Sequence, residues 1–242
     1  MDKKDICIAT ISWARTDGEE KLLRASLASL ANLRIPTFIT DGGSSKSFLQ
    51  FINDIPHFTL LKANEKGVFA QAKNSLNAAF ETTAPFVFYT EPDKEIFFQD
   101  ALPKLIDEVV NDEALGIQLA SRSAKGFATF PAFQQMTETT INNCCTEVIK
   151  KDVDFTYGPF LLNRKLIPFL NAVKEDVGWG WRPYTFVMAH RSGLEVTASV
   201  DDFTCPTDQR DDDAKERIYR MKQLEQNIRG IVLAANTTIE EK

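Results

Sequence analysis

Phe86-Val87-Phe88-Tyr89-Thr90-Glu91-Pro92-Asp93 is the stretch that decides how this chain is read. Its aromatic and β-branched half reads as a buried strand, and the run then ends in two carboxylates separated by one residue. Acids at the tip of a central strand are costly unless positive charge sits with them: a divalent cation, a basic side chain or a helix N-terminus. The cation is the reading that carries chemistry, because oxygen ligands suit Mg2+ or Mn2+, which in turn hold a pyrophosphate. The structural alternative is a strand-end turn whose acids cap the helix starting near Ile96. The residues alone leave these two readings level.

Upstream of that stretch, short apolar runs alternate with helical patterns. Residues 6–11, 37–40, 58–61 and 86–90 read as strands, and 19–32, 45–51 and 68–80 as helices. Leu22, Leu23, Ala25, Leu27, Leu30 and Leu33 line one face of the first helix, and Ser44 or Ser45 caps the second. Strand–helix alternation at this spacing implies crossover connections and a mostly parallel α/β sheet, with ligands gathering at the carboxyl ends of the strands. Those ends are where polar and glycine residues concentrate: Ser12-Trp13-Ala14-Arg15, Asp41-Gly42-Gly43-Ser44 and Glu91-Pro92-Asp93-Lys94.

After Asp100 the pattern predicts a helix to about Asn111 and a strand at 115–120. A mostly helical stretch at 131–150 follows, then a strand broken at Pro159 within 155–162, and a helix at 165–173. A helix at 181–191, a strand at 194–200, an acidic loop at 201–213 and a long helix at 214–233 complete the chain. No linker or repeat divides it, so the expectation is one domain spanning 1–242 with two functional halves, 1–100 and 101–242.

Composition narrows the function classes. With 43% hydrophobic residues among 242, a sizeable core can form. The net charge of −6 with scattered basic residues gives no stripe to collect nucleic-acid phosphates, so no nucleic-acid partner is expected. No apolar run approaches the ~18 residues of a membrane span, and Met1-Asp2-Lys3-Lys4-Asp5 is no secretory leader. Cys7, Cys144, Cys145 and Cys205 fit neither a zinc pattern nor a disulfide framework, which points to reduced thiols and a cytoplasmic setting.

Four pieces in this order resemble the GT-A glycosyltransferases, in particular the broad family-2 group. They are the polar loop Thr10 to Arg15 after the first strand, the acidic-glycine turn Asp41 to Ser44, the Gly-then-helix segment Lys66-Gly67-Val68-Phe69-Ala70-Gln71-Ala72-Lys73-Asn74, and Glu91-Pro92-Asp93 in place of the family's Asp-x-Asp. The likeness covers roughly the first 100 residues well. It implies a three-layer α/β/α sandwich with a Rossmann-like N-terminal half, and a metal-dependent hexosyltransferase that moves a sugar from a nucleoside diphosphate sugar, UDP- or GDP-linked, to an acceptor hydroxyl. It implies Mg2+ or Mn2+ held by Asp93 and Glu91, with Asp208 as a third ligand from a late loop. Nucleotide-sugar contacts are implied for Thr10, Ser12, Arg15, Asp41, Gly42, Gly67, Lys73 and Asn74, and diphosphate contact for Arg210. The acceptor is unspecified and a homodimer stays open.

Each of these residues also has a plain structural role: a turn acid for Asp41, loop punctuation for Gly67, a solvated helix face for Lys73, helix capping for Asp211 to Asp213. The sequence departs from the family at two places. Glu91 is one methylene longer than the usual acid. The acidic pair from which inverting members take their base aligns nearer Trp181-Arg182 than Glu175-Asp176, so Asp176 and then Asp202 are the candidates if the reaction inverts, and a retaining route stays open. Trp179 and Trp181, in a Gly-Trp-Gly-Trp frame, read either as a sugar-stacking surface or as core anchors. Two rivals stand beside the transferase: a non-catalytic nucleotide-sugar binder of the same fold, and a sugar nucleotidyltransferase. The second lacks its glycine-rich loop here, since no glycine follows the first strand until Gly18.

Overall fold

The computed structural model describes residues 1–109, 112–207, 210 and 212–239. They fall into two compact units: residues 1–112 with 159–171, and residues 113–158 with 172–242.

The first unit is built around β1 (Ile6–Ser12), which is buried along its whole length. Parallel neighbours flank it, β2 (Thr37–Asp41) on one side and β4 (Phe86–Thr90) on the other. β3 (Phe58–Lys62) adds to β2 in parallel, and β6 (Phe160–Asn163) adds to β4 antiparallel, giving the order β3-β2-β1-β4-β6. Helix α1 (Asp17–Ala31) starts where Thr16 Oγ1 accepts the Glu19 amide, and α2 (Lys46–Asn53) where Ser45 Oγ accepts that of Phe48. Helix α3 (Val68–Phe80) packs on β1 and β2 while carrying the chain from β3 back to β4. That return makes the gap between the carboxyl ends of β1 and β4 a topological switch point, where open α/β sheets bind ligands.

After β4 the expected helix to Asn111 is shorter. A π-turn over Phe97–Ala101 leads into α4 (Leu102–Glu108), with Pro103 in its first turn, and the helix stops where Val109 takes extended backbone. The strand expected at 155–162 shrinks to Phe160–Asn163: Pro159 has no amide for the ladder and Gly158 sits at φ +126°.

In the second unit β5 (Leu115–Arg122) pairs in parallel with β7 (Glu195–Asp201). A single turn, α5 (Ala124–Phe127), follows β5, and α6 (Ala132–Ile149) follows that. α7 (Ile167–Ala172) closes the first unit; α8 (Trp181–Arg191) and α9 (Ala214–Asn236) belong to the second. α8 packs on β5, β7 and α9, and α6 packs on α9. Trp181 is fully buried, which settles it as a core anchor rather than a sugar platform. The glycines of its frame serve packing too: a Cβ on Gly180 would lie 2.0 Å from the Gln226 carbonyl oxygen.

Among the described residues no helix is long and apolar enough to cross a membrane. All four cysteines are free thiols.

Candidate functional site

The carboxyl ends of β1, β2 and β4 bring the expected donor residues of the first unit together. Ser12 pairs in register with Asp41, and Thr10 with Thr90. Asp41 is nearly buried, and its carboxylate accepts four hydrogen bonds: Oδ1 from the amides of Gly43 (2.8 Å) and Ser44 (2.7 Å), Oδ2 from Ser12 Oγ (2.7 Å) and Ser44 Oγ (2.6 Å). Two lone pairs per oxygen are thereby used, by three donors of its own turn and by Ser12 at the end of β1. Thr10 and Ser75 are fully buried in a hydroxyl relay. Thr10 Oγ1 donates to the Thr90 carbonyl at 2.7 Å, and Ser75 Oγ donates to the Thr10 carbonyl at 2.8 Å while lying 2.7 Å from Thr40 Oγ1. Asn74 extends the relay to the rim, donating to Thr40 Oγ1 (3.2 Å) and to the Lys62 carbonyl (3.1 Å). These groups clamp the strand ends to α3.

Other residues at this rim stand nearer to solvent. Arg15 forks onto Glu19, with Nη2 to Oε1 at 2.6 Å, and its guanidinium lies 5.5 Å from the Trp13 ring centre. Lys73 lies 3.5 Å from the Asn171 carbonyl and over the Phe69 ring. Gly67 takes φ +113° as the residue before α3, a conformation L side chains rarely adopt, and, as in any helix, the first amides of α3 point out of its N-terminal end. Gly42 is packed closely from above. A Cβ there would come within 3.1 Å of the Trp13 side chain and 3.2 Å of the Gln71 amide nitrogen.

Glu91 and Asp93 follow β4, both half-buried. Asp93 Oδ1 lies 3.4 Å from Lys94 Nζ. Among the described residues no group of three or more His, Cys, Asp or Glu side chains could hold a metal. Asp208, expected as a third ligand, lies outside the described residues, as does Asp211. Two carboxylates without a third suit a hexacoordinate cation that takes its remaining ligands from water and from the phosphates it shares, the habit of Mg2+ and Mn2+ rather than of a closed protein cage. Glu91 and Asp93 fit such a cation on that chemistry.

The acids of the second unit are tied locally. Asp176 Oδ1 accepts the Gly178 amide at 2.9 Å. Asp202 is exposed and hydrogen-bonded to Lys125 and Ser123; the Lys125 bond first, then that of Ser123, holds its carboxyl below the usual range, which weakens it as a base. Arg210 donates to the Cys205 carbonyl, with Nη2 at 3.0 Å.

Sequence reasoning passed over two features. One is the charged centre at the end of β5. Arg122 is buried, with Nε 2.5 Å from Asp154 Oδ2, Nη2 2.7 Å from Glu138 Oε2, and its guanidinium over Phe127 and Phe130. Burial works against its charge, but Glu138 and Asp154 outweigh that and push its pKa up. A lone arginine ending a strand is the only trace of this centre in the sequence. The other is Gln71, which lies inside the Gly-then-helix segment and is nearly buried at the rim beside Trp13.

Comparison with solved structures places the fold. Glucosyl-3-phosphoglycerate synthase from Mycobacterium tuberculosis, in complex with Mn2+, UDP-glucose and phosphoglyceric acid, superposes with a TM-score of 0.66 over 96% of this chain and 81% of that one. The same enzyme with Mn2+, UDP-glucose and glycerol 3-phosphate gives 0.64 over the same shares. The fold is that of the GT-A glycosyltransferases. Identity across these superpositions is 14%. No family model matches the sequence, and no curated protein matches it. The expected α/β architecture with its mostly parallel sheet is therefore observed.

Proposed function

We propose that this protein is a metal-dependent glycosyltransferase that moves a sugar from a nucleoside diphosphate sugar to an acceptor hydroxyl. The observation that carries the reading is the pair Glu91 and Asp93 at the carboxyl end of β4, beside the β1/β4 switch point of a GT-A fold. UDP-glucose is the first donor to test, since the enzyme sharing this fold was solved with it, and Mn2+ is the first cation.

Residues 1–100 take the donor in this account. Glu91 and Asp93 would hold Mg2+ or Mn2+, and the cation would supply positive charge to offset that building on the leaving diphosphate. The amides opened by Gly67 at the start of α3 face anionic oxygen, and Lys73 and Arg15 add positive charge at the same rim. Ser12 and Asp41 keep the β1 and β2 ends in register so that Gly42 presents backbone to the nucleotide. Acceptor binding falls to residues 101–242, while Arg210 is the arginine for the donor diphosphate. If the anomeric centre inverts, Asp176 or Asp202 takes the acceptor proton; a retaining route needs neither.

The test is donor turnover. With UDP-glucose and Mn2+, release of UDP that depends on the cation and on Asp93 supports the transferase. Tight UDP binding with no release under any acceptor favours a nucleotide-sugar binder of the same fold, the reading suggested by Lys94 lying against Asp93.

A further inference from the structure

At the β1/β2 rim one polar side chain stands apart from the clamp around it. Gln71 is 7% exposed, and among the described residues its carboxamide neither gives nor takes a hydrogen bond. Leaving a buried carboxamide unsatisfied costs free energy, and each such group in a folded protein calls for a reason. The polar groups of the clamp beside it are satisfied: the Asp41 carboxylate is filled by its own turn and by Ser12 Oγ, and the Thr40, Ser75 and Thr10 hydroxyls bond one another or backbone. The Gln71 amide is also not sealed in, since it is missing from the fully buried polar atoms without partners.

What it meets at the rim is specific. The Gln71 amide nitrogen and the Trp13 side chain converge above Gly42, 3.2 and 3.1 Å from where a Cβ would stand. Trp13 is 52% exposed, spans toward Gly43 with Nε1 4.0 Å from that residue's Cβ position, and carries Arg15 over one ring face. A flat indole, a glycine floor and a carboxamide offering a donor and an acceptor side by side are complementary to one kind of ligand. It must be a planar heterocycle whose edge carries paired donor and acceptor groups.

We propose that Gln71 is the specificity-determining residue for the donor's nucleobase, hydrogen-bonding its edge while the base stacks on the Trp13 face that Arg15 leaves open. The inference rests on the donor site proposed above and deepens it. It gives base recognition to a helix α3 side chain, not to the Asp41 carboxylate.

Calorimetric titration of the full chain with UDP, GDP, ADP, CDP and inorganic pyrophosphate, each with Mn2+, tests it. The wild type binds one diphosphate nucleotide more tightly than the other three and more tightly than pyrophosphate. Trp13→Ala weakens every nucleotide by about tenfold, the loss of one stacked base, and leaves pyrophosphate unchanged. Gln71→Leu, near-isosteric and without hydrogen-bonding groups, weakens the preferred nucleotide by roughly tenfold and narrows the spread among the four bases. Gln71→Ala repeats the result if Leu packs badly, and melting curves confirm that the variants fold. If the wild type prefers one nucleotide but Gln71→Leu and Gln71→Ala keep that preference, base reading by Gln71 is overturned while the donor site stands. Equal loss of pyrophosphate in the variants overturns it too, as does a wild type that does not distinguish nucleotides from pyrophosphate. Binding of none of these ligands removes the donor site and this inference together.

Discussion

Gly180 and Gly230 touch backbone to backbone: a Cβ added to Gly230 would lie 1.9 Å from the Gly180 carbonyl oxygen, and its next neighbours are Gly180 backbone atoms. Backbone cannot swing aside as a flexible side-chain tip does. The Gly-Trp-Gly-Trp frame is therefore a helix-packing device that lets α9 close on the turn before α8.

Gly230→Ala is expected to destabilise the protein by about 3 kcal/mol or more, the upper range for overpacking. Gly193→Ala meets nothing within 4 Å but sits at φ +75°, so its cost is backbone strain alone, about 1–2 kcal/mol. Chemical denaturation of both variants ranks them; an unaltered midpoint for Gly230→Ala would show that α9 is free to move off.

The buried Arg122–Asp154 pair predicts a pH dependence. Burial alone would raise the Asp154 carboxyl, but the charge and hydrogen bonds of Arg122, with those of Thr156 and Asn142, bring it below its ordinary value. A carboxyl depressed in the folded state stabilises fully above its unfolded pKa of about 3.9, and that contribution is lost as pH falls through the lower folded value. Wild-type stability should therefore decline steeply below about pH 4. Asp154→Asn should cost about 3–5 kcal/mol at neutral pH by leaving Arg122 short of a partner, and should flatten the acid limb. Equal acid slopes in the two proteins would count against the assignment.

Much of the first unit was legible from residues. Ser45 as a helix cap, strand–helix alternation, and polar strand ends at Ser12, Asp41 and Glu91 all follow from local chemistry, and the structure places them as expected. What was not legible depends on partners distant in sequence. Nothing around Gly180 announces Gly230, 50 positions away. Nothing in Ala70-Gln71-Ala72 says that its amide would meet Trp13 over Gly42. The π-turn at Phe97–Ala101 and the short α5 turn are set by packing rather than propensity, and periodicity does not see them. At the proposed site, the sequence located the rim and its acids; it could not tell that the Asp41 carboxylate is filled by its own turn and by Ser12.

Gly67 at φ +113° gives a prediction that separates strain from ligand binding. Gly67→Ala should lower stability by about 1–2 kcal/mol. It should also weaken pyrophosphate, because the first α3 amides would turn from the rim. Affinity for pyrophosphate that survives the substitution would move the phosphates away from α3.

The central claim is that Asp93 holds a divalent cation that in turn grips the nucleotide diphosphate. Titrating UDP into the wild type and Asp93→Ala, with and without Mn2+, is the most direct measurement. The account predicts that Mn2+ tightens UDP binding to the wild type by at least about tenfold, some 1.4 kcal/mol, and that Asp93→Ala loses this gain while keeping its metal-free affinity. The same Mn2+ gain in both proteins, or none in the wild type, would contradict it.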